Sequence, residues 1–158
     1  MVHEKNDCWQ VDFLSRSSAI CMIGVELRRM MVMEFHMKEI GFYTETANGR
    51  LNIAGDEEHG FRPFQLLVSS VAVCSGGIMR KILEKKRIPY EDIHIKADVV
   101  RNPEKADKIE KIHLHFTLTG IEISQAQMEK VMALTAKNCS MVQSVMESIE
   151  IEETFEIK

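Results

Sequence analysis

The spacing of apolar residues along the chain alternates between the period of a strand and the period of a helix. Segments 42–46 and 50–54 flank the Asn48-Gly49 dipeptide, whose tolerance of positive φ suits a tight hairpin turn. With residues 34–38 as a further strand, these segments predict an opening antiparallel hairpin.

A long helix is predicted after a polar and acidic loop at residues 55–60. Pro63 suits the first turn of this helix, and the basic run at 85–87 suits its last turn. Because the first half of the helix has almost no polar face, it should be surrounded on most sides and form the central element of the fold. Its inward stripe repeats at three- or four-residue spacing and consists of Leu67, Val71, Cys74, Ile78 and Ile82.

Strict alternation of apolar and polar residues returns after Pro89. Segments 93–99 and 112–118 both show this alternation, which is typical of half-buried strands. The connection between them is polar and contains an Asn-Pro dipeptide. The pattern therefore predicts a second antiparallel pair of strands with a longer connection.

The last third of the chain predicts two helices and a strand. Ser124 and Gln127 resemble a capping box at the start of a helix. This helix should break at Asn138-Cys139, before a short third helix and a final strand over 149–157. The element order, ββ(β)–α–ββ–αα–β with antiparallel pairings, favours an α+β fold in which helices cover antiparallel sheets.

Composition excludes several classes of function. The chain has 158 residues, of which 45% are apolar and 28% charged, enough for one compact domain. Its net charge of -4 comes from mixed acidic and basic residues without a basic stripe, so a nucleic-acid partner is not expected. The apolar stretch at 19–25 is too short and wrongly flanked for a signal peptide or a membrane span, and we expect a cytoplasmic protein without a membrane partner.

Residues 1–32 lack sustained periodicity and are interpreted as an N-terminal extension of a single domain at 33–158. Arg28-Arg29 precedes Met33, and an AGGAGG ribosome-binding sequence read in frame encodes Arg-Arg. One hypothesis is therefore that translation naturally starts at Met33. The alternative is a genuine arm that packs on a partner subunit.

Thiol chemistry is the strongest functional signal in the residues themselves. The four cysteines suggest reduced thiols rather than a disulfide framework, and Cys8 and Cys21 are expected to be incidental. Cys74 and Cys139 lie beside small or hydroxylated residues, which packing alone does not explain. If Asn138 caps a helix, the helix N-terminus should lower the pKa of Cys139, whereas Cys74 would need an arginine or another donor from elsewhere in the fold.

Three sequence segments together resemble a known family. Arg62-Pro63-Phe64-Gln65-Leu66-Leu67, Cys74 on the same helix, and Asn138-Cys139-Ser140 after a second helix are similar to the osmotically inducible protein C (OsmC) family, which includes the organic hydroperoxide resistance proteins. The resemblance covers about residues 34–158 and the whole element order. It implies an intertwined homodimer, with two active sites at the subunit interface and thiol-dependent reduction of organic hydroperoxides.

The resemblance also implies residue roles. Cys74 would attack the peroxide and Cys139 would resolve the oxidised sulfur. The thiolate would be polarised by an arginine, either Arg50 beside the hairpin turn or Arg62, and the sequence does not choose between them. The adjacent glycines at 76–77 would let another helix approach closely.

One departure from the family pattern concerns the start of the long helix. Family members with peroxidase activity place a glutamate just after the helix-opening proline, and a related branch places one two residues after it. This chain has Phe64 and Gln65 there. Gln65 can hydrogen-bond an arginine but supplies no charge to an arginine–carboxylate network.

These observations predict a two-cysteine peroxidase for organic or lipid hydroperoxides in oxidative-stress defence. No metal or bound cofactor is expected, and an external dithiol would recycle the disulfide. The missing glutamate favours an alternative, a non-catalytic module on the same fold that binds apolar ligands or senses thiol redox state. A purely structural dimeric domain is a third possibility.

Two further groups of residues have simpler interpretations. His113 and His115 share the outward face of a strand and are expected to face solvent rather than bind a metal. Four methionines at helical spacing are expected to fill core gaps or line an apolar pocket: Met128, Met132, Met141 and Met146.

Overall fold

The computed structural model describes residues 32–158. Predictions about the segment before Val32, including Cys8 and Cys21, lie outside the described residues. Within them the chain forms six strands and three α-helices. The strands are β1 (His36–Met37), β2 (Phe42–Thr46), β3 (Gly49–Ile53), β4 (Asp92–Asn102), β5 (Lys108–Thr119) and β6 (Glu150–Ile157), and the helices are α1 (Pro63–Lys86), α2 (Gln125–Asn138) and α3 (Ser140–Val145).

The opening hairpin is confirmed, but its turn lies one residue earlier than predicted. β2 pairs antiparallel with β3, and Thr46 is opposite Gly49, so Ala47 and Asn48 form the two-residue turn. Gly49 is the first residue of β3 and has a φ of 114°, which an L side chain would rarely adopt. β1 is shorter than predicted and completes a three-stranded sheet.

Helix α1 begins at Pro63 and ends at Lys86, as the sequence predicts. The helix terminates because Arg87 adopts a left-handed conformation with a φ of 56°. α1 packs against α2, α3 and β4. By length and composition α1 could also cross a membrane, a test that core helices of globular proteins pass as well.

The second sheet has the order β4-β5-β6 and contains one parallel pair. β4 and β5 pair antiparallel, but β5 and β6 run in the same direction. The prediction of antiparallel pairing throughout was therefore wrong for β6. The physical reason is that α2 and α3 form a crossover that returns the chain to the same end of the sheet, and periodicity carries no information on strand direction.

The core lies between the inner face of this sheet and the helices. The inward residues of β5 are completely buried: Ile112, Leu114, Phe116 and Leu118. Met79 and Leu83 of α1 and Val131 of α2 pack into the same cluster. The predicted α+β fold with a long central helix is thus confirmed, and the intertwined homodimer stays a prediction.

Candidate thiol site

The fold brings Cys74 and Cys139 together. Cys74 lies in the middle of α1 and is partly exposed, whereas Cys139 lies between α2 and α3 and is completely buried. Both are free thiols, and they lie near enough for each to shift the pKa of the other. Two cysteines that are distant in sequence therefore share one site.

The first residues of α3 supply polar partners to Cys74. Ser140 Oγ lies 3.7 Å from Cys74 Sγ, and the backbone N–H groups of Ser140 and Met141 also donate towards this sulfur. The donor from elsewhere in the fold that Cys74 requires is thus the start of α3.

The pKa values of the two thiols are shifted in opposite directions. Burial raises the pKa of Cys74, but hydrogen bonds from the Met141 amide and the Cys139 thiol outweigh it, and the pKa lies below its ordinary value. Burial raises the pKa of Cys139, and the neighbouring Cys74 raises it further. At a pH between the two pKa values, the partly exposed sulfur is the thiolate and the buried sulfur stays protonated.

The prediction of a lowered pKa at Cys139 was wrong. Cys139, rather than Asn138, caps α3, because its Sγ accepts the Val142 backbone N–H at 3.5 Å. Asn138 instead donates its side-chain amide to the Leu134 carbonyl. The backbone N–H groups of Val142 and Met141 lower the pKa of Cys139 but do not compensate for its burial, whereas those of Met141 and Ser140, with the two side-chain partners, do so at Cys74.

The adjacent glycines after Cys74 have different surroundings. A Cβ at Gly76 would lie 2.5 Å from Ile95 Cδ1, so Gly76 allows β4, rather than another helix, to approach α1. A Cβ at Gly77 would meet nothing within 4 Å. The prediction of a helix approaching both glycines was therefore wrong for Gly76 in this chain.

The strand histidines lie on the outward face of the second sheet and are half-buried. His113 Nε2 and His115 Nδ1 each lie 2.8 Å from the hydroxyl of Thr154. Within residues 32–158, no group of three or more histidine, cysteine or acidic side chains could hold a metal ion.

A comparison with protein families identifies the family of this chain. The model of a family described as OsmC-like protein matches residues 55–154, a span that contains both cysteines. The chain belongs to the OsmC family. This family is linked to resistance to peroxides, as the names of its solved members also indicate.

Individual relatives of this OsmC-family chain are distant in sequence but similar in fold. Protein YhfA of Escherichia coli K12 is 27% identical over 120 residues, which cover 73% of this chain and 89% of YhfA. A hypothetical protein from Aquifex aeolicus has 26% identity and a TM-score of 0.71, covering 82% of this chain and 98% of that one. An organic hydroperoxide resistance protein from Legionella pneumophila has 20% identity and a TM-score of 0.61, covering 79% and 95%, and shows the fold alone.

The arginine positions of this OsmC-family chain lie apart from Cys74 in the described residues. Arg50 pairs with Glu45 at 2.7 Å and lies 4.2 Å above the Tyr43 ring. Arg62 lies 4.9 Å from the centre of the Phe64 ring. Neither guanidinium is among the groups that shift the pKa of Cys74.

The start of α1 replaces the family glutamate with a different set of contacts. Gln65 Oε1 accepts the Arg62 backbone N–H at 2.9 Å, and Gln65 Nε2 donates to Glu57 at 2.9 Å. Gln65 thus bonds the backbone of an arginine rather than a guanidinium. The guanidinium groups of Arg62 and Arg101 both lie over the Phe64 ring, that of Arg101 at 4.7 Å from the ring centre. Sequence reasoning assigned Arg101 only to a connection between strands.

Sequence reasoning also missed Glu153. The Ser75 hydroxyl donates to Glu153 Oε1, which links α1, one residue after Cys74, to β6. The inward positions of β6 alternate from Ile151 to Phe155, and Glu153 falls between them where an apolar residue is expected. A charged residue type at an inward position was the signal that could have found it.

Proposed function

We propose that this OsmC-family protein reduces organic hydroperoxides, with Cys74 as the attacking thiolate and Cys139 as the resolving thiol. The observation that carries the proposal is the asymmetry of the pair. The partly exposed sulfur has the lowered pKa and the buried sulfur has the raised one. A reactive cysteine needs thiolate character and access together, and Cys74 combines them.

The chemistry balances in two steps. The Cys74 thiolate attacks the terminal oxygen of the hydroperoxide, the O–O bond breaks, and the alkoxide leaves and takes a proton to become an alcohol. Cys74 is then a sulfenic acid. The sulfur of Cys139 attacks this sulfenic sulfur, a disulfide forms, and the sulfenic hydroxyl leaves with the Cys139 proton as water.

A reductant that is not part of the protein returns the disulfide to two thiols. An external dithiol exchanges with the disulfide, so that one molecule of dithiol is oxidised for each hydroperoxide reduced. The proposal requires no metal and no bound cofactor.

Homodimerisation belongs to the same proposal. Val73 is 71% exposed on α1, and beside it lies a groove of about 200 Å³ that includes Gly77. Exposed Val73 and the groove that it lines suit the same surface of a second copy. In such a dimer, Arg50 or Arg62 would act on the thiolate across the subunit interface.

The test is peroxide consumption with a dithiol donor, using cumene hydroperoxide and hydrogen peroxide. Cys74→Ser should abolish turnover with both substrates, whereas Cys139→Ser should consume one equivalent and stop at the sulfenic acid. Wild type should prefer cumene hydroperoxide. Equal consumption by wild type and Cys74→Ser would end the assignment.

Arg50→Met and Arg62→Met extend this test to the polarising arginine. Removal of the arginine that acts on the thiolate should slow the first oxidation step at least about tenfold, as expected for a lost charge-assisted hydrogen bond. Arg101→Met serves as the matched control, because Arg101 contacts the same Phe64 ring as Arg62.

A second candidate function is a thiol redox sensor without efficient turnover. The favouring observation is that Gln65, at one of the glutamate positions, is used in capping α1 and bonding Glu57. A sensor would be oxidised once by stoichiometric peroxide and would show little multiple turnover with a dithiol donor. Rate measurements over many equivalents of peroxide separate the two functions.

A further inference from the structure

A cavity larger than the groove at Val73 lies next to the thiol site but is not lined by its cysteines. It is open to solvent, has a volume of about 460 Å³ and is lined by residues of α2, α3 and β6 and by Met146 at the end of α3. Met132, Val142, Met146 and Ile151 give it an apolar lining. Neither cysteine of the thiol site belongs to the described residues that line it. Its volume falls within the range of about 300–1,000 Å³ that is usual for small-molecule pockets.

Glu153 lines this cavity and has an unsatisfied carboxyl oxygen beneath its surface. Its Oε1 is occupied by the Ser75 hydroxyl. Its Oε2 is buried and has no hydrogen-bond partner among the described residues. The residue opposite Glu153 on β5 is Leu114, which is completely buried. Its apolar side chain offers no hydrogen bond to Oε2. A buried carboxyl oxygen without a partner is costly.

The protonation state of Glu153 limits the kind of partner. Burial raises the pKa of Glu153, and the hydrogen bond from Ser75 only partly opposes this. The neutral carboxyl is therefore favoured relative to an exposed glutamate. Because Ser75 donates to Oε1, the carboxyl proton belongs on Oε2, where it needs an acceptor.

We propose that this cavity binds a small neutral molecule with an apolar body and a hydroxyl group, and that the Glu153 carboxyl turns towards the bound molecule so that the hydroxyl pairs with Oε2. A hydroxyl accepts from the neutral carboxyl and can donate to it as well. Lys137 also lines the cavity and disfavours a cationic ligand. This proposal does not rest on the thiol chemistry proposed above.

Binding is measured on the full chain with ¹³C-methyl methionine and 1-octanol as the probe. The methyl resonances of Met132 and Met146, which line the cavity, should shift saturably during the titration. The resonance of Met79, which is buried in the core and does not line the cavity, should stay in place. This readout does not depend on peroxide turnover, so it fails or succeeds separately from the peroxidase assay.

Two substitutions at Glu153 test the hydrogen bond. Glu153→Met keeps the length of the side chain without polar atoms and should weaken 1-octanol binding about fivefold, the loss of one neutral hydrogen bond. Glu153→Gln should stay within about twofold of wild type, because an amide donates and accepts. Glu152→Met is the matched control on the outward face of β6, where Glu152 pairs with Lys111, and should leave binding unchanged.

A third substitution tests the cavity itself. Ala133 lines the cavity from an exposed position on α2, so Ala133→Trp can fill the mouth without disturbing the core and should abolish binding. This variant remains informative even if substitution at Glu153 prevents folding.

Three results would overturn the proposal. One is the absence of saturable shifts at Met132 and Met146 up to the solubility limit of 1-octanol. Another is equal 1-octanol affinity in wild type and Glu153→Met. The third is tighter binding of octylammonium or octanoate than of 1-octanol, which would replace the neutral hydroxyl with a charged group.

Discussion

The hydroxyl of Ser140 lies 3.7 Å from the sulfur of Cys74, although the two residues belong to different helices. This contact connects the start of α3 to the middle of α1. It also helps to lower the pKa of Cys74, so it links the packing of two helices to the reactivity of one thiol.

Ser140→Ala should raise the pKa of Cys74 by removing a donor to its thiolate. The rate of alkylation at a fixed pH below the thiol pKa should fall about threefold to tenfold, since one hydrogen bond to a charged group is lost. Ser144→Ala is the matched control, because Ser144 bonds only the Ser140 carbonyl and lies one turn further along. Equal loss in both variants would contradict a specific role for the Ser140 hydroxyl.

Alkylation as a function of pH should separate the two cysteines. Because the pKa of Cys74 is lowered, its thiolate persists as the pH falls below about 8.5, the ordinary thiol pKa, and is lost only as the pH passes through the lowered value. Cys139 has a raised pKa and should react only at higher pH. Iodoacetamide labelling followed by peptide mass spectrometry measures both, and faster labelling of Cys139 at neutral pH would reverse the assigned roles.

The pH dependence of stability should report on Glu153. Its pKa is raised in the folded state, so its contribution to stability is fully present below the unfolded pKa and is lost as the pH rises through the folded pKa. Glu153→Gln cannot ionise and should therefore gain stability relative to wild type as the pH rises above 4.5. Urea unfolding of both proteins across this range measures the difference, and parallel curves would show that burial does not perturb Glu153.

Val73→Lys should convert the proposed homodimer into a monomer. Val73 is 71% exposed, so a lysine there leaves the core of the single chain intact. It would place a charge at the proposed interface in both copies. Light scattering after gel filtration gives the mass. Lys96→Glu is the control. Lys96 is exposed on the face of the second sheet that points away from α1, so this substitution should leave the mass unchanged. An unchanged mass of Val73→Lys would place the interface elsewhere.

Gly76→Ala and Gly77→Ala should have different effects in the Val73→Lys background. Alanine at Gly77 meets nothing within 4 Å and should stabilise α1 by about 0.5–1 kcal/mol, the gain in helix propensity. Alanine at Gly76 pushes against the end of the Ile95 side chain, and this overpacking should cancel the gain. Urea unfolding should therefore rank Gly77→Ala as more stable than Gly76→Ala by about 0.5–1 kcal/mol, and equal stability would show that Ile95 moves aside freely.

Local patterns were enough to predict the order and approximate bounds of the elements. Pro63 and the Ser124 capping box act through their nearest neighbours, and both helices begin as predicted. Alternation in β4 and β5 reflects one buried face, which is also a local property. The direction of β6 depends on the path of the crossover before it, and no pattern within β6 encodes that path.

The chemistry of the site was harder to predict because it depends on contacts between distant segments. The meeting of Cys74 and Cys139 followed from the family resemblance, not from the pattern of residues. Which thiol the backbone amides of α3 approach depends on how that helix is rotated about its own axis. Sequence reasoning assigned the benefit to Cys139 on proximity along the chain, but burial outweighs the amides there and only the pKa of Cys74 is lowered overall.

The place of Cys139 between two helices has a consequence for the oxidised protein. A bond from Cys139 to Cys74 would join the middle of α1 to the α2–α3 junction and close a large loop of chain that contains both strands of the β4–β5 pair. Closing a loop of that size restricts the unfolded chain and stabilises the native state by about 4 kcal/mol in the chain-entropy view. Oxidation would then raise the melting temperature, and a thermal melt would measure the fraction of the protein that peroxide has oxidised.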